Sequence, residues 1–208
     1  MLYDWTCRKH NKASGKKTGQ KHQKHTSKQR RKTMKKLIAI DLIPAERCAK
    51  NCGFPNFPLE PFVEMCKKGD VDVIEVLCTL QKRVPENDTP EAVAEVNRQF
   101  ENKRYALEMR GARIIECPAK RSPNSPSGYK QSDDQRLMIT TLTLAMKLRP
   151  DFVTLVAADG DYAPMVEELR KEGIRTEVVA SPSMLASDLK RVAVNVADLD
   201  EILNALKK

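Results

Sequence analysis

The sequence predicts an α/β protein with three layers, in which a mainly parallel central sheet of about five strands is covered by helices on both faces. Short apolar runs typical of buried strands alternate along the chain with longer amphipathic segments typical of helices. Right-handed crossovers between parallel strands then place the carboxyl ends of the strands along one edge of the sheet. In open α/β sheets this is the edge where ligands bind.

The first half of the chain contains two predicted strands and two predicted helices. The apolar run KKLIAIDLI, residues 35–43, predicts a buried strand. Three prolines and a glycine predict an irregular loop over 44–58. A short helix follows at 59–69, and the alternating β-branched residues of 71–80 predict a second strand. Apolar residues at helical spacing, with a glycine at the end, predict a longer helix over 89–111.

The second half of the chain continues the alternation after a long loop. Residues 120–132 are rich in proline, serine and glycine, and a loop of this length commonly carries a function. The predicted elements around it are strand 112–119, helix 133–150, strand 151–158, helix 161–173, strand 174–181, helix 183–193 and helix 198–208.

The basic character of the chain is confined to its first 33 residues. The net charge of the whole chain is +9, but residues 1–33 hold eleven Lys and Arg and one acid, and the rest is close to neutral. This segment has almost no apolar residue to bury, so we predict a disordered basic arm at 1–33 and a folded domain at 34–208. Such an arm could bind phosphates by counterion release. The alternatives are a solubilising tail, or residues upstream of a native start at Met34.

Several function classes are excluded or disfavoured by the sequence. No apolar run approaches the roughly 20 residues of a membrane span, and the N-terminus has no apolar signal core, so we expect a cytoplasmic protein without a membrane partner. All three histidines lie in the arm, which excludes imidazole acid–base chemistry within 34–208. Neither a GxGxxG nor a GxxxxGK motif occurs. The six cysteines are scattered and are predicted to be reduced thiols.

Aspartates occur at three places where predicted strands end or helices begin. Asp41 follows the apolar LIAI, Asp133 and Asp134 open the helix after the long loop, and Asp159 and Asp161 follow the strand DFVTLVAA. Clustered carboxylates raise one another's pKa unless a cation neutralises them. Oxygen ligands without histidine or thiolate favour Mg²⁺ or Mn²⁺, and such an ion can activate water against a phosphodiester.

Each aspartate also has a purely structural explanation. Aspartate before a helix is a favoured N-cap, which would account for Asp161 or for the pair Asp133 and Asp134. Asp41 is harder to explain in this way, because it lies in a predicted buried strand where an unpaired charge is costly.

These segments together resemble a known family. LIAIDL, the acidic helix start after YKQS, DFVTLVAADGDYAPMVEELRKEGIRTEVVA and the tail SMLASDLKRVAVNVADLDEI are similar to the NYN domain of the PIN-like nuclease superfamily, over roughly residues 35–205. The resemblance implies a PIN-like, Rossmann-like fold and a metal-dependent ribonuclease, a hydrolase acting on single-stranded or structured RNA. It implies Mg²⁺ or Mn²⁺ held by Asp41, Asp133, Asp134, Asp159 and Asp161. The implied catalytic residues are Asp41, Asp134, Asp159 and Asp161.

The sequence departs from the family pattern at two positions. Pro44 stands where the family often has asparagine, and Ala157 replaces the usual hydroxyl residue. At the helix start, Asp134 keeps the apolar register while Asp133 keeps the spacing from Lys130. The alternative function is therefore a catalytically weakened NYN-fold module for RNA binding or protein assembly.

Two residues of the long loop are weaker candidates for substrate binding. Lys130 could touch a phosphate and Tyr129 could stack on a base, although a solvated lysine and a tyrosine resting on the core explain them equally well. The oligomeric state is left open, with a homodimer as one alternative.

Overall fold

The computed structural model of the chain describes residues 33–85, 89–121, 129–130 and 132–207. Its strands are β1 (Met34–Ile40), β2 (Val71–Lys82), β3 (Arg113–Pro118), β4 (Lys120–Arg121), β5 (Tyr129–Lys130), β6 (Phe152–Val156), β7 (Arg175–Ala180) and β8 (Asn195–Asp198). Its helices are α1 (Leu42–Asn51), α2 (Leu59–Cys66), α3 (Pro90–Glu108), α4 (Asp133–Leu148), α5 (Ala163–Lys171), α6 (Ser187–Val192) and α7 (Leu199–Ala205). A single 3₁₀ turn, Gly160–Tyr162, precedes α5.

Six strands form one parallel sheet in the order β3-β2-β1-β6-β7-β8. Side chains alternate between its faces, as expected for strands buried on both sides. Leu37 and Ala39 pack with α4, α5 and α6, whereas Ile38 and Ile40 pack with α1, α2, α3 and α7. The predicted three-layer α/β fold is confirmed, with six strands where about five were expected.

The prediction for residues 41–51 is wrong. Strand β1 ends at Ile40, and the segment predicted as strand end and loop forms α1. Pro44 is the third residue of this helix, within the first turn, where backbone N–H groups have no partner inside the helix and proline is tolerated. Ala45, Cys48 and Ala49 then bury one face of α1 against the sheet.

Three further strands were not predicted. Strand β8 is only four residues long, is at most half-buried, and pairs with β7 at the edge of the sheet. Strands β4 and β5 form a short antiparallel pair within the predicted loop 120–132. The helix predicted at 183–193 begins only at Ser187.

Some predictions lie outside the described residues. Residues 1–32 of the predicted arm belong to this group, so the division into arm and domain stays a prediction. Five cysteines are described, and none of them forms a disulfide. No helix in the described part of the chain is long and apolar enough to cross a membrane.

Candidate active site

A cleft with a volume of about 410 Å³ lies at the carboxyl edge of the sheet. Strands β1 and β6 are neighbours, so the residues that follow them, Asp41 and Asp159, come to the same place although they are far apart in sequence. The start of α4 reaches the same cleft. The lining includes Asp41, Pro44, Asp133, Asp134, Ala158, Asp159 and Met184. Four of the five predicted carboxylates therefore share one cleft.

Asp41 is fixed in position by its backbone at the N-cap of α1. Its N–H donates to the carbonyl of Val156 at 2.9 Å, which extends the β1–β6 ladder by one residue. Its side chain is only 6% exposed and makes no capping hydrogen bond of standard geometry, although the N–H of Ile43 is close enough to lower its pKa. Oδ1 of Asp41 has no hydrogen-bond partner among the described residues. The N-cap position therefore leaves one oxygen of this buried carboxylate without a structural explanation.

Thr79 on β2 binds the backbone at the start of α1. Its Oγ1 accepts a hydrogen bond from the N–H of Leu42 at 3.0 Å, and both residues are buried. This N–H belongs to the first residue of α1 and has no partner inside the helix. The sheet thus satisfies a donor that an N-cap side chain does not serve, because such a side chain accepts from the second or third N–H of the helix.

Tyr162 connects two of the acidic segments and was not predicted as a site residue. Its side chain is 0% exposed, and its hydroxyl donates to Oδ1 of Asp134 at 2.9 Å. The same hydroxyl lies 3.4 Å from Oδ2 of Asp41. The signal in the sequence was the tyrosine that ends the segment AADGDY, directly after Asp159 and Asp161.

The cleft disfavours full negative charge in the absence of a cation. Burial, followed by the carboxylates of Asp134 and Asp133, raises the pKa of Asp41 from an ordinary 3.8 to about 7. Burial likewise raises the pKa of Asp134, and the carboxylates of Asp133, Asp159 and Asp161 add to this effect. Burial, followed by the carboxylates of Asp41, Asp134 and Asp133, raises the pKa of the Tyr162 hydroxyl. A cation in the cleft would relieve this repulsion.

Asp133 and Asp134 both reach the cleft from the first turn of α4. Asp133 is 4% exposed and Asp134 is half-buried. Negative charge in a first helical turn is stabilised by the helix dipole, so the structural explanation holds for both residues. Only Asp134 is bonded to Tyr162. The geometry thus distinguishes the two aspartates, although both line the cleft.

Asp159, rather than Asp161, caps the turn that follows β6. Oδ1 of Asp159 accepts a hydrogen bond from the N–H of Asp161 at 3.0 Å. The side chain of Asp161 is exposed and does not line the cleft. Its carboxylate acts on the site through charge, because it contributes to the raised pKa of Asp134.

The donor chemistry of the cleft fits a hard divalent cation. Oδ1 of Asp41 is a buried oxygen without a hydrogen-bond partner, and the other ionisable groups of the lining are carboxylates. Among the described residues, however, no three His, Cys, Asp or Glu side chains are already close enough together to hold a metal ion. A cation would also compete with the Tyr162 hydroxyl for carboxylate oxygens of Asp41 and Asp134.

The two departures from the family pattern lie in different surroundings. Pro44 lines the cleft, whereas Ala157 is buried in the core beneath it. Lys130 and Tyr129 lie in β5, and their side chains are outside the described part of the chain. Their contact with substrate stays a prediction.

Comparison with solved structures shows the fold. A protein of unknown function from Vibrio parahaemolyticus RIMD 2210633 is 20% identical, with a TM-score of 0.59 over 81% of this chain and 94% of that chain. MurG from Acinetobacter baumannii is 13% identical, with a TM-score of 0.43 over 79% of this chain and 41% of its own. The pyrazinamidase/nicotinamidase from Streptococcus mutans UA159 is 16% identical, with a TM-score of 0.32 over 83% of this chain and 97% of its own. The latter two similarities are too weak to support a functional argument.

Comparison with known protein sequences and families tests the family resemblance of the aspartate motifs. No curated protein matches the chain. The sequence profile of the NYN domain matches residues 38–200, which is most of the chain and includes Asp41, Asp134 and Asp159. The chain therefore belongs to the NYN domain family of the PIN-like nuclease superfamily.

Proposed function

We propose that this protein is a divalent-metal-dependent ribonuclease of the cytoplasm, which hydrolyses RNA phosphodiester bonds at the aspartate cleft. Membership of a nuclease-like family supports the reaction class. The observation that carries the proposal is the buried carboxylate of Asp41. Among the described residues, one of its oxygens has no hydrogen-bond partner, and burial together with two carboxylates from a distant segment raises its pKa. A buried carboxylate that is not fully paired lowers the free energy of unfolding. Groups with such shifted pKa values occur most often at sites of binding or catalysis.

The residues that would hold Mg²⁺ or Mn²⁺ are Asp41, Asp134 and Asp159, with Asp133 and Asp161 as further candidates. The chemistry that a bound ion supplies is activation of a water molecule and neutralisation of charge on the phosphodiester. The protein's own contribution is orientation. The β1–β6 ladder fixes the backbone of Asp41, and Tyr162 orients the carboxylate of Asp134. One oxygen of Asp159 is held by the N–H of Asp161.

The proposal is tested by incubating the full-length protein with end-labelled single-stranded RNA in Mn²⁺, in Mg²⁺ or in chelator. We expect cleavage with metal only, and loss of cleavage in Asp41→Asn and in Asp159→Asn. A matched control is Asp72→Asn, which makes the same charge change at an exposed position near the opposite edge of the sheet. Unchanged cleavage by Asp159→Asn, or cleavage that survives the chelator, would overturn the proposal.

The second candidate function is an NYN-fold module that binds RNA or assembles with protein without cutting. Pro44 favours it, because this residue lines the cleft and offers no side-chain hydrogen bond at a position where the family often has asparagine. The same experiment separates the candidates, since a binding module retains RNA in Mn²⁺ and leaves it intact.

A further inference from the structure

A second concave surface lies beside the acidic cleft. This groove has a volume of about 470 Å³ and is formed by α1, α3 and the carboxyl end of β2. Ile43, two residues after Asp41, belongs to the lining of both the groove and the cleft. The two surfaces are therefore adjacent at the start of α1.

The charge of the groove is opposite to that of the cleft. Its lining contains the cations Arg47, Lys50, Arg83 and Lys103 and a single carboxylate, Glu46. Lys103 is paired with Glu46 at 2.8 Å. The other three cations are exposed and form no ion pair with any residue that the structure describes. Since residues 34–208 are close to neutral overall, this excess of positive charge is local to the groove.

The apolar part of the groove does not provide a stacking surface for bases. Phe100 is the aromatic residue of the lining, but it is only 5% exposed and its ring is covered by the Lys82 ammonium group, 5.4 Å from the ring centroid. Single-strand binding that depends on stacking needs exposed aromatic faces. Recognition in this groove is thus expected to depend on phosphate charge and to be largely independent of base sequence.

We propose that the groove binds the phosphodiester backbone of single-stranded RNA and directs it to the acidic cleft, with Arg47, Lys50 and Arg83 contacting phosphates. The inference rests on the proposed ribonuclease function, because it names the path of that substrate. A concave groove of this size, bounded by two helices, suits one strand, whereas double-stranded RNA-binding domains contact a surface that spans about 16 base pairs. The cations also offset the repulsion between phosphates and the aspartates.

The test measures binding of a fluorescent oligouridine to the full-length protein in chelator, so that no cleavage occurs. The groove variant combines Arg47→Gln, Lys50→Gln and Arg83→Gln. The matched control combines Lys68→Gln, Arg110→Gln and Lys147→Gln, which are exposed residues preceding β2, β3 and β6, at the opposite edge of the sheet. Both variants lose three positive charges, so a difference between them reports position and not net charge.

Each phosphate contact to a single strand contributes about 0.7 to the slope of log affinity against log salt. We expect the groove variant to lower this slope by about 2, so that its loss of affinity is about 20-fold larger at about 50 mM salt than at 200 mM. The control should keep the wild-type slope. If the triple variant does not give the wild-type circular dichroism spectrum, Arg83→Gln alone, which lies outside the helices, should lower the slope by about 0.7.

Equal losses in the groove and control variants would overturn the inference, as would a wild-type protein that does not bind the oligouridine. An equal loss with duplex RNA would overturn the assignment to a single strand. The proposed function fails independently of the groove. If the groove variant lowers the salt slope but the wild-type protein does not cleave RNA, the binding path stands and the proposed nuclease function fails. If the wild-type protein cleaves RNA but the groove variant keeps the wild-type salt slope, the nuclease function stands and the binding path fails.

Discussion

The hydroxyl of Tyr162 donates a hydrogen bond to Oδ1 of Asp134 across a distance of 2.9 Å and thereby joins the turn after β6 to the first turn of α4. The two residues are 28 positions apart in sequence and are separated by α4 and β6. The tyrosine is fully buried, so water cannot replace this hydrogen bond without opening the core. The acidic cleft is thus organised by the protein itself.

Replacing Tyr162 with phenylalanine should destabilise the protein by about 1–3 kcal/mol, because the half-buried carboxylate of Asp134 loses a hydrogen bond from a neutral donor. Urea denaturation in chelator measures this change. Tyr105→Phe is the matched control, since it removes a hydroxyl from a side chain that is 65% exposed. A Tyr162→Phe protein as stable as the control would mean that the bond contributes little.

The stability of the metal-free protein should fall as the pH rises from about 4 to about 7. The folded protein raises the pKa of Asp41 to about 7, mainly through burial, so in this range the folded state holds a proton that the unfolded state has released. Stability decreases with pH wherever the unfolded state binds fewer protons. Asp134 shifts in the same direction and adds to the effect.

Asp41→Asn removes this titration and should therefore stabilise the metal-free protein near about pH 8, by up to about 4 kcal/mol if the whole shift is relieved. Near about pH 3 the advantage should nearly disappear, since Asp41 is then largely protonated in both states. Denaturant titrations at the two pH values measure the difference. A variant that is less stable than wild type at about pH 8 would contradict the assigned cause.

Mn²⁺ should raise the melting temperature of the wild-type protein and have little effect on Asp41→Asn or Asp159→Asn. A ligand at 100 times its Kd stabilises the folded state by about 2.7 kcal/mol. Differential scanning calorimetry with and without chelator gives this readout without any substrate. Asp72→Asn should respond like wild type. An equal shift in Asp41→Asn would place the ion elsewhere.

Thr79→Val should destabilise the protein by about 1–2 kcal/mol, because the buried N–H of Leu42 loses its acceptor at the start of α1. Thr176→Val is the matched control, because it makes the same substitution at another buried position of the sheet. Thr176 is also buried in the sheet, but its hydroxyl has no hydrogen-bond partner among the described residues, so its removal should be neutral or stabilising. Similar losses in both variants would show that packing, and not the hydrogen bond, is responsible.

The sequence was sufficient to predict the main strands and the meeting of the aspartates. The run LIAI is apolar throughout, and FVTLV is interrupted only by Thr154, because both faces of the sheet are covered. Parallel connections bring the strand ends to one edge. Asp41 and Asp159 meet for this reason alone. Periodicity and topology are therefore enough to predict which strand ends come together, without any knowledge of side-chain contacts.

The missed elements depend on contacts that no local pattern reveals. Pro44 and the glycine after α1 indicated a loop, yet a proline in the first turn is compatible with a helix, and the sheet provides the apolar surface that stabilises it. Strand β8 is too short and too exposed to be seen without its neighbour β7. The partners of the Tyr162 hydroxyl follow from the packing of α4 beside the turn after β6, which sequence spacing does not specify.

The hydrogen bond from the N–H of Asp41 to the carbonyl of Val156 determines which part of the site should unfold last. It ties Asp41 to β1 and β6, the two middle strands of the sheet, which are expected to separate only when the whole molecule unfolds. Asp159 and Asp161 lie instead on a short turn exposed to solvent. Amide exchange should accordingly be slowest at Asp41 and much faster around Gly160. Under mild heating, the carboxylates of Asp159 and Asp161 should therefore become mobile while the carboxylate of Asp41 keeps its position.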